Sequence, residues 1–159
     1  MPGDPTTSDA TEVKIGEKRL SDNGKAWYIP LSDKNAAYLE SADKKAKSVV
    51  IPASVQLSGK AYQVTRVGRQ AFRNYKALRR VTIGKNVRVI GAGAFSGCSR
   101  LRKVIIKTQK LKTVGKKAFS GAGGKTGKNL RVKVPGKKLP AYRKKLVKAG
   151  LGRKAKLTD

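Results

Sequence analysis

The residues that could carry out chemistry are unevenly distributed along this chain of 159 residues. There is no histidine, one cysteine (Cys98) and nine acidic residues. Eight of the acids lie at or before Asp43, and the ninth is the last residue, Asp159. Residues 44–158 therefore lack the parts of a Ser-His-Asp triad, a catalytic carboxylate pair or an oxygen-rich metal cage. The composition argues against an enzyme, and we expect no cofactor and no metal.

Three remaining features could suggest chemistry, and each has a simpler interpretation. Lysines are numerous, but a lysine nucleophile needs a desolvated pocket that a thin repeat protein rarely provides. The segment Gly124-Lys-Thr126 resembles the end of a phosphate-binding loop, yet the first glycine of that motif would fall on Phe119. Cys98 aligns with Tyr75 and Ala122 of neighbouring repeats, so we interpret it as a buried packing residue.

Positive charge is the feature that points to a partner. The chain has 38 Lys and Arg and a net charge of +29, and 33 of these cations lie in the acid-free segment 44–158. Such a surface attracts polyanions, including nucleic acid, teichoic-type wall polymers, sulfated glycans and acidic proteins. The alternative is that the charge only keeps a repeat protein soluble.

Internal repeats define the elements that would position these charges. The segment 67–83 recurs at 90–106 and begins again at Val114, with the anchors Phe72, Phe95 and Phe119 spaced 23 and 24 residues apart. A period of this length predicts a stacked solenoid in which each unit buries its apolar face against its neighbours. Each Ala-Phe pair is expected to begin a short helical turn. Apolar residues that alternate at period two predict strands with one buried face, and they are Val81, Ile83, Val104, Ile106, Val132 and Val134.

The ends of the chain depart from the repeat. We predict a disordered linker over residues 1–11, an N-terminal β cap over 12–47 and the 23–24-residue repeats over 48–135. Within the cap, Lys14–Leu20 and Ala26–Leu31 have strand character, and Ala36–Glu40 is a candidate hairpin partner. A second hairpin should turn at Ser58-Gly59 before the repeat resumes.

A helix and strand cap is predicted over residues 136–159. Leu139–Ala149 reads as an amphipathic helix, stopped by Gly150 and followed by a strand at Ala155–Leu157. We expect one side of this helix to be apolar, and that side comprises Tyr142, Leu146, Val147 and Ala149. The predicted fold class is thus a β-rich α/β solenoid, capped at both ends and monomeric.

The outward positions of the predicted strands form the candidate binding site. The side chains that point away from the core, and so form a basic sheet face, are Arg80, Thr82, Lys103, Lys107, Arg131 and Lys133. An additional basic patch on the C-terminal helix comprises Arg143, Lys144 and Lys145. Adjacent strands lie about 4.8 Å apart, so this ladder could track anionic groups along an extended polymer. A merely solvated face is the alternative. Tyr62 and Tyr75 are the rings expected to be partly exposed, too few for a single-strand nucleic-acid platform.

The sequence resembles a known family at one motif. Ala94-Phe-Ser-Gly-Cys-Ser-Arg-Leu-Arg-Lys-Val-Ile-Ile106 is similar to the BspA-type (Treponema-type) leucine-rich repeat at every defined position. The resemblance implies a right-handed solenoid in an extracellular or cell-wall protein, with a binding or adhesion role and no catalytic motif. The basic C-terminal region also looks like modules of exported proteins from Gram-positive gut bacteria.

The combined prediction is a non-enzymatic binding module at the bacterial cell envelope. Its partner would be an anionic cell-wall polymer, a glycan or a host surface protein. Nucleic-acid binding and a structural spacer without ligand are the alternatives. No apolar run approaches the ~20 residues of a membrane span. The polar N-terminus lacks a secretory signal, so we expect either a cytoplasmic protein or, as we favour, a piece of a longer exported one.

Overall fold

The computed structural model describes residues 14–159, which form twelve strands, a short 3-10 turn and one α-helix. The predicted linker 1–11 and the first two residues of the predicted N-terminal cap lie outside the described residues. The strands, in chain order, are β1 (Arg19–Leu20), β2 (Ala26–Pro30), β3 (Asn35–Ser41), β4 (Ser48–Ile51), β5 (Ser54–Leu57), β6 (Lys60–Val67), β7 (Arg80–Ile83), β8 (Val89–Ile90), β9 (Lys103–Ile106), β10 (Thr113–Val114), β11 (Arg131–Lys133) and β12 (Lys156–Thr158). The helix α1 spans Leu139–Lys148 and follows the 3-10 turn Gly136–Lys138.

The strands pair into two sheets. Sheet A has the order β1-β2-β3-β6-β8-β10, with β5 paired to β6, and its antiparallel pairs are β1-β2, β2-β3 and β5-β6. Sheet B has the order β4-β7-β9-β11-β12, and every pairing in it is parallel. Successive repeats therefore contribute one strand to sheet B and a shorter one to sheet A, which is the alternation that the repeat predicts.

The buried faces of the repeat strands build the core. Val81, Val104 and Val132 are fully buried and in register on adjacent strands. The rings of Phe72, Phe95 and Phe119 form one stacked column, with 5.2 Å between successive ring centroids. The predicted strand faces and the predicted aromatic column are both confirmed.

The segments around the Ala-Phe pairs are turns, and the prediction of short helical turns there is wrong. Hydrogen bonds between residues three apart close them, as from the N–H of Tyr75 to the carbonyl oxygen of Phe72 (3.2 Å). Two residues of each turn have a positive φ, for instance Gln70 (57°) and Asn74 (60°). A right-handed helix requires a negative φ at every residue, so this left-handed pair breaks it.

The hairpin predicted at the N-terminal end is present. Strands β2 and β3 form an antiparallel hairpin, and β3 joins the repeats by pairing in parallel with β6. The predicted strand Lys14–Leu20 is shorter, since only Arg19–Leu20 pairs with β2. The second hairpin turns at Ser58 and Gly59, both with positive φ, which is the backbone of a tight two-residue β-turn.

The C-terminal helix and strand are also present, with one error in the predicted face. Tyr142, Leu146 and Ala149 are buried, but Val147 is 59% exposed. At about 100° per residue Val147 lies roughly 140° around the helix from Tyr142, which turns it towards solvent. No helix in the described part of the chain is long and apolar enough to cross a membrane.

The two tyrosines predicted to be partly exposed are buried. Tyr62 is 3% exposed and Tyr75 is 6% exposed. Tyr62 lies on an inward position of β6, and Tyr75 packs edge-to-face on Phe72 with centroids 5.1 Å apart. Alternation along β6 and the turn geometry around Phe72 direct both rings into the core, so they contribute to packing rather than to a binding surface.

Candidate polyanion-binding face

Parallel pairing in sheet B aligns four cations in one row. Arg80, Lys103, Arg131 and Lys156 are in register on the adjacent strands β7, β9, β11 and β12, and all four are exposed. At about 4.8 Å between strands, this basic row is roughly 14 Å long. The next residue on each strand points into the core, and it anchors the backbone that presents the charge.

The second outward row of sheet B is mostly uncharged. It runs through Val50, Thr82, Ile105, Lys133 and Thr158. Thr82 is half-buried, and Lys133 is exposed with Ile105 as its cross-strand neighbour. The six predicted face residues therefore separate: Arg80, Lys103 and Arg131 are brought together, whereas Thr82 and Lys133 lie in a row whose character is mixed.

Two other parts of the predicted site lie elsewhere. Lys107 is exposed but follows the end of β9, where its N–H donates to the carbonyl oxygen of Ile83 (3.0 Å). The patch of Arg143, Lys144 and Lys145 lies on α1, which contacts β10 and β12 at the end of the stack. The helix patch is thus a separate basic surface at that end of the two sheets.

Lys156 is the member of the row that was not predicted from the sequence. A strand was predicted at 155–157, but nothing placed it beside β11. The signal was present in the alternation of Lys156 and Leu157, which matches Arg131 and Val132. Because the C-terminal strand does not carry the repeat motif, that match is visible only once the pairing is known.

Lys156 is the member of the row with an acidic residue close in sequence, Asp159, and the ion pairs of the described residues are remote from the row. Both pairs use Glu40, whose carboxylate lies 2.6 Å from Lys18 Nζ and 3.6 Å from Lys44 Nζ. The hydrogen bond from Lys18 lowers the pKa of the Glu40 carboxyl, so this acid is engaged within the N-terminal region. The cations of the row are available to an external anion.

Cys98 is a packing residue, as predicted. Its side chain is fully buried, and its Sγ–H donates to the carbonyl oxygen of Phe72 (2.9 Å). Burial raises the pKa of the Cys98 thiol to about 11, because the charged thiolate is not solvated there. The thiol is therefore protonated and unreactive at neutral pH.

The other sequence features that suggested chemistry do not form a site. Gly124-Lys-Thr126 lies in a loop of turns and bends, and no helix begins there to direct N–H groups at a phosphate. Among residues 14–159 no group of three or more His, Cys, Asp or Glu is placed to hold a metal ion. What the described residues offer is an array of exposed cations, which can bind anions.

Comparison with known protein families gives one clear match. The model of the BspA type leucine rich repeat region matches residues 42–126, in six copies. No curated protein matches the chain.

Solved structures share the fold. A leucine rich cell surface protein from Faecalibacterium prausnitzii is 23% identical, with a TM-score of 0.62. The match covers 79% of this chain and 38% of that protein, so this chain spans well under half of its length. A leucine-rich repeat protein from Bacteroides capillosus is 25% identical over 78% of this chain and 82% of its own, with a TM-score of 0.58. Another from Bacteroides ovatus is 18% identical over 85% of this chain and 39% of its own, with a TM-score of 0.52.

Proposed function

Since this chain belongs to the BspA-type leucine-rich repeat family, we propose that it is a non-enzymatic binding module that attaches to an anionic polymer at the bacterial cell envelope. The family's repeats serve protein interaction rather than catalysis. A repeat stack suits this role because it holds side chains at fixed intervals along an extended surface. The ligand class follows from the charges that this particular stack displays.

The basic row is the observation that carries the proposal. Arg80, Lys103, Arg131 and Lys156 are cross-strand neighbours, and like charges at such positions destabilise a sheet. Solubility alone does not require charges of one sign to be aligned in this way. A polyanion laid across the strands would neutralise all four at once. The arrangement therefore favours an extended ligand with repeated negative charge.

The envelope setting is supported by the structural relatives. The Faecalibacterium protein is named a cell surface protein, and this chain spans 38% of its length. A module of a longer exported protein would meet wall polymers and surface glycans before any nucleic acid. We therefore favour a wall polymer or glycan as the ligand, with host surface proteins as a further target of the same face.

Binding assays with matched variants test the proposal. Lipoteichoic acid, heparin, duplex DNA and single-stranded RNA are titrated against the protein over a salt series. The test variant is Arg80→Ala/Lys103→Ala/Arg131→Ala. The control, Arg69→Ala/Arg73→Ala/Lys116→Ala, removes the same number of Arg and Lys from a different groove on the turn side of the stack. Both variants have the same net charge.

We expect the row variant to bind lipoteichoic acid or heparin at least about 10-fold more weakly than the control variant does. Equal losses in the two variants would mean that only net charge matters, and would refute the role of the row. Preference for DNA or RNA would favour nucleic-acid binding, and no binding to any polymer at physiological salt would favour a spacer.

A further inference from the structure

A second basic feature lies at the amino ends of the sheet B strands. Two adjacent grooves, of about 320 Å³ and 530 Å³, share Arg102 and Asn129 in their walls. The first is also lined by Arg79 and Arg100, and the second by Lys128 among others. We refer to these two adjoining grooves together as the Arg102 groove. Both volumes lie in the range of small-molecule sites.

The repeat itself brings these cations together. Arg79 and Arg102 each immediately precede a sheet B strand, and the N–H of Arg102 donates to the carbonyl oxygen of Arg79 (2.8 Å). Arg100 belongs to the turn before β9, and Asn129 precedes β11 after the Gly-rich insertion. The first part of the groove therefore depends on two successive repeats plus the insertion, whereas the second part also takes Lys154 from the C-terminal end and borders Arg131 and Lys156 of the basic row.

The chemistry of the groove is that of an anion site. Three guanidinium groups line its first part, and within the described residues none of them is in an ion pair. A planar guanidinium offers paired N–H donors that match two oxygens of a phosphate or sulfate. The Asn129 amide adds a neutral donor. An anion that enters the groove would relieve the mutual repulsion of these charges.

The walls also exclude other ligand classes. No aromatic ring lines either groove, so there is no platform on which a nucleobase could stack. The one large apolar side chain in the walls, that of Leu101, is fully buried. An apolar ligand would therefore find little to contact, whereas a small, highly charged oxyanion is complementary.

We propose that the Arg102 groove is a specific site for a phosphate or sulfate ester group, bound by Arg79, Arg100 and Arg102 with Asn129. It deepens the proposed function and rests on it for the identity of the polymer, because it names the group that is recognised. Lys128 and Lys154 in the second part, beside Arg131 and Lys156 of the basic row, continue the positive surface outwards. The chain of a bound polymer would leave the groove along that surface.

Inorganic phosphate and sulfate are the probes for the groove itself. Thermal unfolding is measured with phosphate, sulfate or chloride at equal ionic strength, and the Asn129 side-chain amide signals are followed by NMR. Phosphate or sulfate should raise the Tm of the wild-type protein above its value in chloride and shift the Asn129 signals. Arg100→Ala/Arg102→Ala should lose the Asn129 shift and show a smaller rise in Tm, because the general stabilisation by phosphate and sulfate remains. Arg69→Ala/Arg73→Ala should keep both effects in full. All four side chains are exposed, so both variants should fold.

The proposal that the groove binds phosphate or sulfate would be refuted by equal Tm values in phosphate, sulfate and chloride. It would also be refuted if the two variants lost the Tm and Asn129 effects equally. Lipoteichoic acid, which carries phosphate, and heparin, which carries sulfate, then show which group is recognised. We expect Arg100→Ala/Arg102→Ala to bind the polymer that carries the recognised group roughly 10-fold more weakly than the wild-type protein does. If the anions bind the groove but neither polymer binds the protein, the groove stands and the proposed function fails. If a polymer binds the wild-type protein and Arg100→Ala/Arg102→Ala binds it equally well, the proposed function stands and the groove is not the site that recognises the polymer.

Discussion

The ring of Tyr38 stacks on that of Phe72, with the centroids 5.2 Å apart and the planes inclined by 25°. The same spacing separates Phe72 from Phe95 and Phe95 from Phe119. Tyr38 belongs to β3 of the N-terminal hairpin, so the aromatic column continues from the repeats into that hairpin. The hairpin is thereby joined to the stack by a packed side chain as well as by strand pairing.

The middle of this column should be its most sensitive position. Phe95→Ala removes a fully buried ring that stacks on both neighbours, so we expect a loss of about 3–5 kcal/mol in the free energy of unfolding. Val147→Ala, at a 59% exposed position, should change it by less than about 0.5 kcal/mol. Urea unfolding followed by circular dichroism measures both. A loss below about 1 kcal/mol at Phe95 would contradict the column as the centre of the core.

The column shows what repeats can and cannot predict. Phe72, Phe95 and Phe119 recur in one motif, and translation by one repeat places them in a line. Tyr38 has no such motif around it, and its place depends on the parallel register of β3 with β6, where it pairs with Val67. A non-local register of this kind has no local sequence signal, so the hairpin was predictable but its stacking was not.

The repeat glycines at the start of each turn should not tolerate a side chain. A Cβ on Gly91 would lie 2.6 Å from the Arg69 backbone nitrogen and 2.8 Å from the Gly68 carbonyl carbon. Because backbone atoms cannot move aside without shifting a neighbouring repeat, Gly91→Ala should cost about 1–3 kcal/mol. Gly136→Ala is the control, since its nearest contact is the Asp159 carboxylate, a mobile side-chain group, and its cost in urea unfolding should be below about 1 kcal/mol. Similar costs at both positions would argue against this close approach of repeats.

Removing either of two buried tyrosine hydroxyls should have a different effect on the free energy of unfolding. The Tyr142 hydroxyl accepts from the Leu111 N–H (3.1 Å) and donates to the Thr108 carbonyl oxygen (2.9 Å). Tyr142→Phe leaves two buried backbone groups unpaired and should cost about 1–3 kcal/mol. The Tyr75 hydroxyl is buried and makes no hydrogen bond of good geometry among the described residues, although the Ser41 backbone lies close enough to oppose the rise in the pKa of Tyr75 that burial causes. Tyr75→Phe should therefore cost less than about 1 kcal/mol or be stabilising. Urea unfolding of the wild-type protein and the two variants measures both changes. A destabilising Tyr75→Phe would show that the Tyr75 hydroxyl has a hydrogen-bond partner.

The Cys98 thiol should give the protein a pH dependence in the alkaline range. Its pKa is raised from 9.0 to about 11 by burial, so above pH 9 the unfolded chain loses a proton that the folded chain retains. The unfolded state then binds fewer protons, and stability falls as the pH rises from 9 to 11, by roughly 2 kcal/mol in total. The stability contributed by the protonated thiol is fully present below pH 9.

Cys98→Ala isolates this effect from the titration of lysines and tyrosines over the same range. The free energy of unfolding of the wild-type protein minus that of Cys98→Ala should decrease between pH 9 and 11 and be constant between pH 6 and 8. A difference that does not change with pH would show that the thiol ionises as readily in the folded protein as in the unfolded one.

The candidate site was predictable only where its residues hold equivalent positions in the repeats. Arg80, Lys103 and Arg131 hold equivalent positions in successive repeats, so their alignment follows from the period. Lys107 and Lys156 lie where the repeat gives no information, one past a strand end and the other on a terminal strand. The Arg102 groove was also missed, because it forms where turn residues of different repeats meet.

The basic row implies a compromise between stability and binding. Lys103 lies in register between Arg80 and Arg131, so Lys103→Glu converts two repulsive cross-strand pairs into attractive ones. We expect this variant to raise the Tm by roughly 2 °C while weakening binding to lipoteichoic acid or heparin. Lys112→Glu makes the same change in net charge at an exposed position outside the strands, and it should affect binding much less. Thermal unfolding and a binding titration at one salt concentration measure both properties. A selected binding surface retains unfavourable charges because its ligand requires them. If the Lys103→Glu protein is more stable and binds the polymers as well as the wild type does, the basic row is not the binding site.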